Sequence, residues 1–374
     1  MNFELTKEQQ MIKKSASDFA KSKLEPIAYD DDRSGAYPDS AVSEMAKNDF
    51  LGMRISSEWN GVGADFTSMV LMAEAFGKAN AAAAAIAITH NVMAADPIQK
   101  YGTQDQKSRY LPLLQSGQKL GGFAVAEPGA ALASGPDKVT AKKEGDSYVL
   151  TGKKTFVYNG GVADLYLVIA QTKEEAGQKG ISVFLVDGAQ VKTVNKIDKL
   201  GLRAFPTAEL EFDHAKAELL GKEEDGPEIT ADIQAKADIA FAAMAAGIGD
   251  AMLEDSAMHC KTRIQFGAPI GRLQAVQWLL AEIASQVHLL RLMAYQGAAC
   301  ADTGGNYVEE AAYVKMHAMK AGVDAGMNAV QIHGGMGYSR EGKIERYFRD
   351  IRGAFLIENA VDYPQRTIAG SLLK

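Results

Sequence analysis

The chain has 374 residues, 47% of them apolar and 23% charged, which is the composition of a globular protein of two or three domains and excludes global disorder. Forty Lys and Arg against 47 Asp and Glu give a formal net charge of −7, so no cationic footprint exists for a nucleic-acid backbone. Cys260 and Cys300 are too few for a disulfide framework, the opening residues are polar, and the longest apolar run, residues 81–89, is far short of the roughly 20 needed to span a bilayer. A cytoplasmic protein without a membrane span is expected.

In chain order, residues 6–29 carry Met11, Ile12, Ala16, Phe19, Ala20 and Leu24 at helical spacing, which predicts an opening amphipathic helix. Further helices are predicted at 39–48, 66–78, 81–101 and 104–115, separated by breakers such as Gly52, the Trp59-Asn60-Gly61-Val62-Gly63 turn and Gly102. After Gly117 the texture turns to short β-rich runs at 121–126, 147–150, 155–158, 165–171, 181–186 and 208–212, which predict a small antiparallel barrel or sandwich. Beyond Gly226-Pro227 the periodicity returns to long helices over 229–266, 273–301, 308–332 and 342–373, joined in one place by Gly304-Gly305. The fold class is α+β. The expected domains are a helical one over residues 1–118, a β barrel or sandwich over 119–226, and a C-terminal four-helix bundle over 227–374.

Several chemistries are excluded by what is missing. The sequence has no Walker A loop, no HExxH and no GxSxG, and its six histidines show no metal-ligand spacing, so no metal is expected. Gly247-Ile248-Gly249 begins like a dinucleotide fingerprint, but position 252 is Met and the surroundings read as helix, so a Rossmann turn is not expected there.

The remaining motifs, taken together, resemble the acyl-CoA dehydrogenase family over nearly the whole chain. They are Tyr101-Gly102-Thr103-Gln104-Asp105-Gln106-Lys107, Ala126-Glu127-Pro128-Gly129-Ala130, Lys199-Leu200-Gly201-Leu202-Arg203, Arg263-Ile264-Gln265-Phe266-Gly267-Ala268-Pro269, and Gln331-Ile332-His333-Gly334-Gly335-Met336-Gly337-Tyr338, followed by Arg349-Asp350. The resemblance implies FAD held between the β module and the C-terminal bundle of a dimer or tetramer. The backbone around Phe123, Val125, Ala126 and Leu132 would face the isoalloxazine, and Phe156 and Tyr158 would flank its other side. Arg263, Phe266 and Gln274 would lie along the pyrophosphate and adenosine of a cofactor, and Gln331, Gly334 and Gly335 would meet the ADP part of a neighbouring subunit's cofactor. Arginine suits a diphosphate through charge-assisted bonds, and adjacent glycines let backbone approach a flat ligand.

Dehydrogenation between the α and β carbons of a thioester needs a base for the α proton and a hydride acceptor at the β carbon. The resemblance places that base at Glu358, where Leu356 and Ile357 supply apolar surroundings that raise a carboxyl pKa. The sequence departs from the family at Ala126 (commonly Thr), Leu132 (Ser), Phe156 (Trp), Tyr158 (Thr), Asn359-Ala360 (Gly-Thr) and Asp238. At Asp238 an Arg usually helps hold the carrier arm. The expected activity is therefore flavin-dependent dehydrogenation of an acyl thioester carried on CoA or a carrier protein, with an electron-transferring flavoprotein or similar acceptor. The alternatives are a subunit of a hetero-oligomer or a family member with diverged chemistry, and a non-enzymatic helical assembly protein.

Overall fold

A computed structural model describes residues 4–128, 138–145, 147–173, 180–354 and 363–373. Helix α1, Lys7–Phe19, starts at a capping box in which Thr6 and Gln9 satisfy each other's backbone N–H groups. It does not run on as one α-helix to residue 29: a π turn, Ala20–Leu24, and a 3-10 turn, Glu25–Ile27, lead into α2, Ala28–Ser34, which Gly35 ends at φ +61°. Then come α3, Asp39–Lys47, α4, Phe66–Ala79, and α5, Ala81–Ile88. A fully buried π-helical stretch, Thr89–Ala95, interrupts the single helix expected over 81–101 before α6, Asp96–Tyr101, and α7, Gln104–Gln115.

Seven strands follow: β1 Gly121–Ala124, β2 Thr140–Glu144, β3 Ser147–Tyr158, β4 Leu165–Gln171, β5 Ile181–Asp187, β6 Lys192–Lys196 and β7 Thr207–Leu220. Strands β3, β2, β4, β5 and β7 close on themselves through the β3–β7 pairing, with β6 outside β7. The barrel is not wholly antiparallel, because β1 runs parallel to β4 and β2 meets β4 in parallel at Thr140 and Gln171. Alternation cannot reveal such pairings, since β1 and β4 are buried on both faces.

The C-terminal region consists of α8, Gly226–Thr262, the hairpin β8–β9 (Ile264–Gln265 and Ala268–Pro269), α9, Gln274–Asp302, α10, Tyr307–His333, α11, Gly335–Tyr338, α12, Ile344–Gly353, and α13, Tyr363–Leu372. The last two replace the single helix expected over 342–373. Helices α8, α9 and α10 pack on one another, α12 lies against α8 and α10, and α13 lies against α10. Gly247 proves to be a helix-crossing residue: a Cβ there would sit 2.0 Å from the Glu74 carbonyl oxygen of α4, and one on Gly77 would sit 2.3 Å from that of Met244. Only glycine allows α4 and α8 this approach, which ties the N-terminal helices to the bundle.

A buried barrel seam and an exposed bundle end

The inner part of the candidate site lies where the barrel meets α8. Phe123 of β1 pairs in register with Tyr158 of β3, and the Tyr158 ring packs at centroid distances of 6.5 Å from Phe123, 5.8 Å from Phe205 and 6.2 Å from Phe241 on α8. Tyr158 is 1% exposed, and its hydroxyl has no hydrogen-bond partner among the described residues. An orphaned buried hydroxyl costs about 1–3 kcal/mol unless a ligand meets it. Two residues earlier, a bulge between Lys154 and Val157 holds Phe156 at φ +49° with its side chain 41% exposed. A positive φ on a bulky residue is strained backbone that the rest of the barrel must hold in place.

What holds it is an ion pair that no motif in the sequence singles out. Lys154 is fully buried, and its Nζ donates to the Val125 carbonyl oxygen at 3.0 Å and to Glu127 Oε1 at 2.9 Å. Glu127 also accepts from the backbone N–H groups of Lys138, at 2.6 Å, and Val139, at 2.9 Å. Thr155 donates its N–H to the Ala126 carbonyl oxygen at 2.9 Å. The bulge, the end of β1 and both ends of segment 128–138 are therefore fastened together. Val125 is buried and Ala126 half-buried within this knot. Behind β1, His90 accepts the Gly121 N–H on Nδ1 at 3.1 Å, and complete burial pushes its pKa down to about 4, so the ring is neutral near pH 7.

Asp238 stands one helical turn before Phe241 on α8. It is not an open anion, because Lys315 of α10 reaches its Oδ1 at 2.6 Å and both side chains are at most 5% exposed. Burial pushes the Asp238 carboxyl up, and the Lys315 ammonium pulls against that shift. Burial, followed by the Asp238 charge, also raises the Tyr363 phenol, so Asp238 faces the start of α13. Glu358, Leu132, Asn359 and Ala360 lie outside the described residues. Phe76 packs in a phenyl trio with Phe19 and Phe50 in the N-terminal core, whereas Ala94 abuts Gly121 of β1. Met93 is fully buried in the π stretch.

The outer part gathers at the far end of the bundle. The β8–β9 turn places Phe266 at φ +53° and Gly267 at φ +78°, a left-handed two-residue turn with the Phe266 ring 93% exposed. Arg263, before the hairpin, and Gln274, at the start of α9, are exposed, as are Gln331, Gly334 and Gly335 at the end of α10. A Cβ on Gly334 or Gly335 would meet nothing within 4 Å. The rings of His259 and His333 stack at 4.4 Å and join these chain segments, and burial, His333 and Arg263 together lower the His259 pKa. From Phe241 to Arg263 is a step of 22 residues along α8, about 33 Å at 1.5 Å per residue, so the two parts lie far apart along one chain.

Among the described residues no cluster of His, Cys, Asp and Glu has metal-holding geometry, and no helix is long and apolar enough to cross a membrane. Three domain families match the chain: the acyl-CoA dehydrogenase N-terminal domain over residues 6–118, its middle domain over 122–215 and its C-terminal domain over 236–367. An acyl-CoA dehydrogenase of Bacillus subtilis (strain 168) is 36% identical over 374 residues, covering 99% of each protein. The structure of butyryl-CoA dehydrogenase from Megasphaera elsdenii superposes with a TM-score of 0.94 at 31% identity, covering 100% of both chains. A structure described as PigA with FAD and proline gives a TM-score of 0.94 at 25% identity, covering 100% of this chain and 99% of the other.

Proposed function

The chain belongs to the acyl-CoA dehydrogenase family, and from that premise we propose that it is an FAD-dependent oxidoreductase that removes hydrogen from the α and β carbons of an acyl thioester. The observation that carries the reading is the pairing of two complementary halves. A sealed aromatic seam holds a tyrosine hydroxyl without a partner, and a distant bundle end is exposed, with open space above Gly334 and Gly335. Phe123, Val125, Ala126, Leu132, Phe156 and Tyr158 would hold the isoalloxazine. Arg263, Phe266, Gln274, Gln331, Gly334 and Gly335 would hold the diphosphate and adenosine of the cofactor seated in a second copy. A homo-oligomer of two or four chains, each organised as 1–118, 119–226 and 227–374, is the assembly this requires.

When bound, FAD would supply the hydride acceptor. The chain supplies the rest. Glu358 would take the α proton. The Lys154–Glu127 clamp fixes the strand end and the bulge, and the Tyr158 hydroxyl offers its hydrogen bond to the ring system. Phe123, Phe205 and Phe241 exclude water from that seam. Lys315 compensates the Asp238 carboxyl, so this position sets no open anion against a carrier arm, and either CoA or a carrier protein's phosphopantetheine would fit. An electron-transferring flavoprotein or a similar acceptor in the cytoplasm would take the electrons onward.

The test is the visible spectrum of the purified protein, before and after a panel of acyl thioesters. A flavin spectrum that bleaches with one of them, and fails to bleach in Glu358→Gln while flavin stays bound, is the expected result. A protein that binds FAD but stays oxidised in the presence of every thioester would instead favour the second reading, one of two unlike subunits with the active base in its partner. That reading is supported by the bulk of Tyr158, where the family commonly carries Thr.

A further inference from the structure

A small pocket of about 80 Å³ opens where α2, the 199–205 loop and the approach to α12 meet. Its wall carries six cations, Arg33, Arg203, Arg340, Lys343, Arg346 and Arg349, against two acids, Asp32 and Glu345. Both acids are already engaged: Arg349 takes Asp32 in a fork at 2.8 and 2.6 Å and Glu345 in another at 2.6 and 3.0 Å. Lys343 faces Glu25 at 3.7 Å. Among the described residues Arg33 bonds only the Tyr29 hydroxyl, at 2.7 Å, and Arg346, 7% exposed, stacks its guanidinium over Tyr347 at 5.1 Å. Two further acids act on Arg346, and both have other bonds: Asp31 accepts from Asn80 and Asp350 accepts from the Leu202 N–H, each at 2.7 Å.

The cation excess is sharpest at Arg203, whose Nε is buried without an acceptor among the described residues. A buried guanidinium donor aimed at nothing is costly, and an oxyanion is the partner that satisfies it together with its neighbours. Arginine forks match the oxygens of phosphate, and the volume suits one tetrahedral oxyanion where bulk water would place about three molecules. We propose that this pocket is a binding site for a phosphate group, either inorganic phosphate or the monoester of a nucleotide. It is separate from the proposed thioester site and independent of the reaction assigned there. It also touches that site through the chain, because Arg203 lies two residues before Phe205, which packs against Tyr158.

The test is calorimetric titration of the intact protein with inorganic phosphate, adenosine 5′-monophosphate and adenosine, at constant ionic strength maintained with chloride. Saturable binding of one phosphate or one nucleotide per chain, with none for adenosine, is expected. Arg203→Gln and Arg340→Gln should each weaken it at least tenfold, about 1.4 kcal/mol. Arg340 is exposed, so its variant should melt like the parent in phosphate-free buffer, which separates lost binding from lost folding. A nucleotide that binds more tightly than phosphate identifies the monoester as the ligand; equal affinities identify the free ion. No saturable binding by either, or unchanged affinity in both variants, overturns the proposal.

Discussion

Lys154→Met is the most direct probe of the barrel seam, because methionine keeps an unbranched, flexible side chain only one atom shorter while removing the charge and its donors. In the parent the ammonium satisfies the Val125 carbonyl and Glu127 at 3.0 and 2.9 Å with no solvent access. After the change, the Glu127 carboxylate keeps two backbone N–H donors but stays buried as an uncompensated anion. Removing one member of a buried pair costs about 3–5 kcal/mol. Lys154→Met with Glu127→Gln leaves no buried charge, and the amide oxygen still accepts from Lys138 and Val139, so roughly half the loss should return. Urea unfolding followed by far-UV circular dichroism, with the two single variants and the double variant forming a cycle, should therefore give a coupling of about 2 kcal/mol or more. Flavin affinity should fall in step, because the same two residues fasten the strand end, the bulge and the 128–138 segment. A single-variant loss under about 1 kcal/mol, or a double variant no better than Lys154→Met, would refute the clamp.

Tyr158→Phe deletes the orphaned hydroxyl, so the flavin-free protein should gain about 1 kcal/mol in unfolding free energy while flavin binds more weakly; a loss of stability on this change would mean the hydroxyl has an acceptor. Asp238→Arg, which restores the cation common in the family, should destabilise by several kcal/mol, since it sets two cations in one sealed site beside Lys315; adding Lys315→Met should recover most of that, as read by thermal melts. His90 has a folded pKa lowered from 6.5 to about 4, so the unfolded chain binds the extra proton first; stability is complete above pH 6.5 and falls as pH drops toward 4, by roughly 3 kcal/mol from this group. In His90→Gln that part of the acid sensitivity should vanish, and urea midpoints at pH 7 and pH 4.5 that fall equally in both proteins would refute it. Gly335→Leu meets nothing among the described residues and should leave the flavin-free chain's melting temperature unchanged while abolishing flavin retention; a variant that keeps its flavin would remove this bundle end from the cofactor site.

The three-part architecture was legible because its periodicities change sharply near Gly117 and Gly226, where helical spacing yields to short β-rich runs and returns. The π stretch Thr89–Ala95 was not, because it and the apolar helix Ala81–Ile88 before it are buried all round and carry no directional pattern from which a change of pitch could be read. The parallel seating of β1 beside β4 was hidden for a related reason, two-sided burial. Lys154 sits beside another lysine in Gly152-Lys153-Lys154-Thr155 and reads as solvent-facing, and only the barrel's closure turns it inward. Asp238 and Lys315 offered a fainter clue: each is a lone charge among apolar helix residues, Ala237 and Ile239 in one case, Val314 and Met316 in the other. Two such charges of opposite sign on neighbouring helices satisfy each other, but they are 77 positions apart and no local rule links them.

The 33 Å of helix between Phe241 and Arg263 has a consequence for how such proteins diversify. In the assembly proposed above, each copy would contribute one half to its own reaction centre and the other half to its neighbour's, so the two halves of one chain would serve different molecules of cofactor. After duplication, one gene can lose its barrel seam while keeping its bundle end intact, and the mixed pair still completes one working centre. Mutations at the two ends of α8 then come under separate selection, and a silent centre and a working one can persist together in the same assembly.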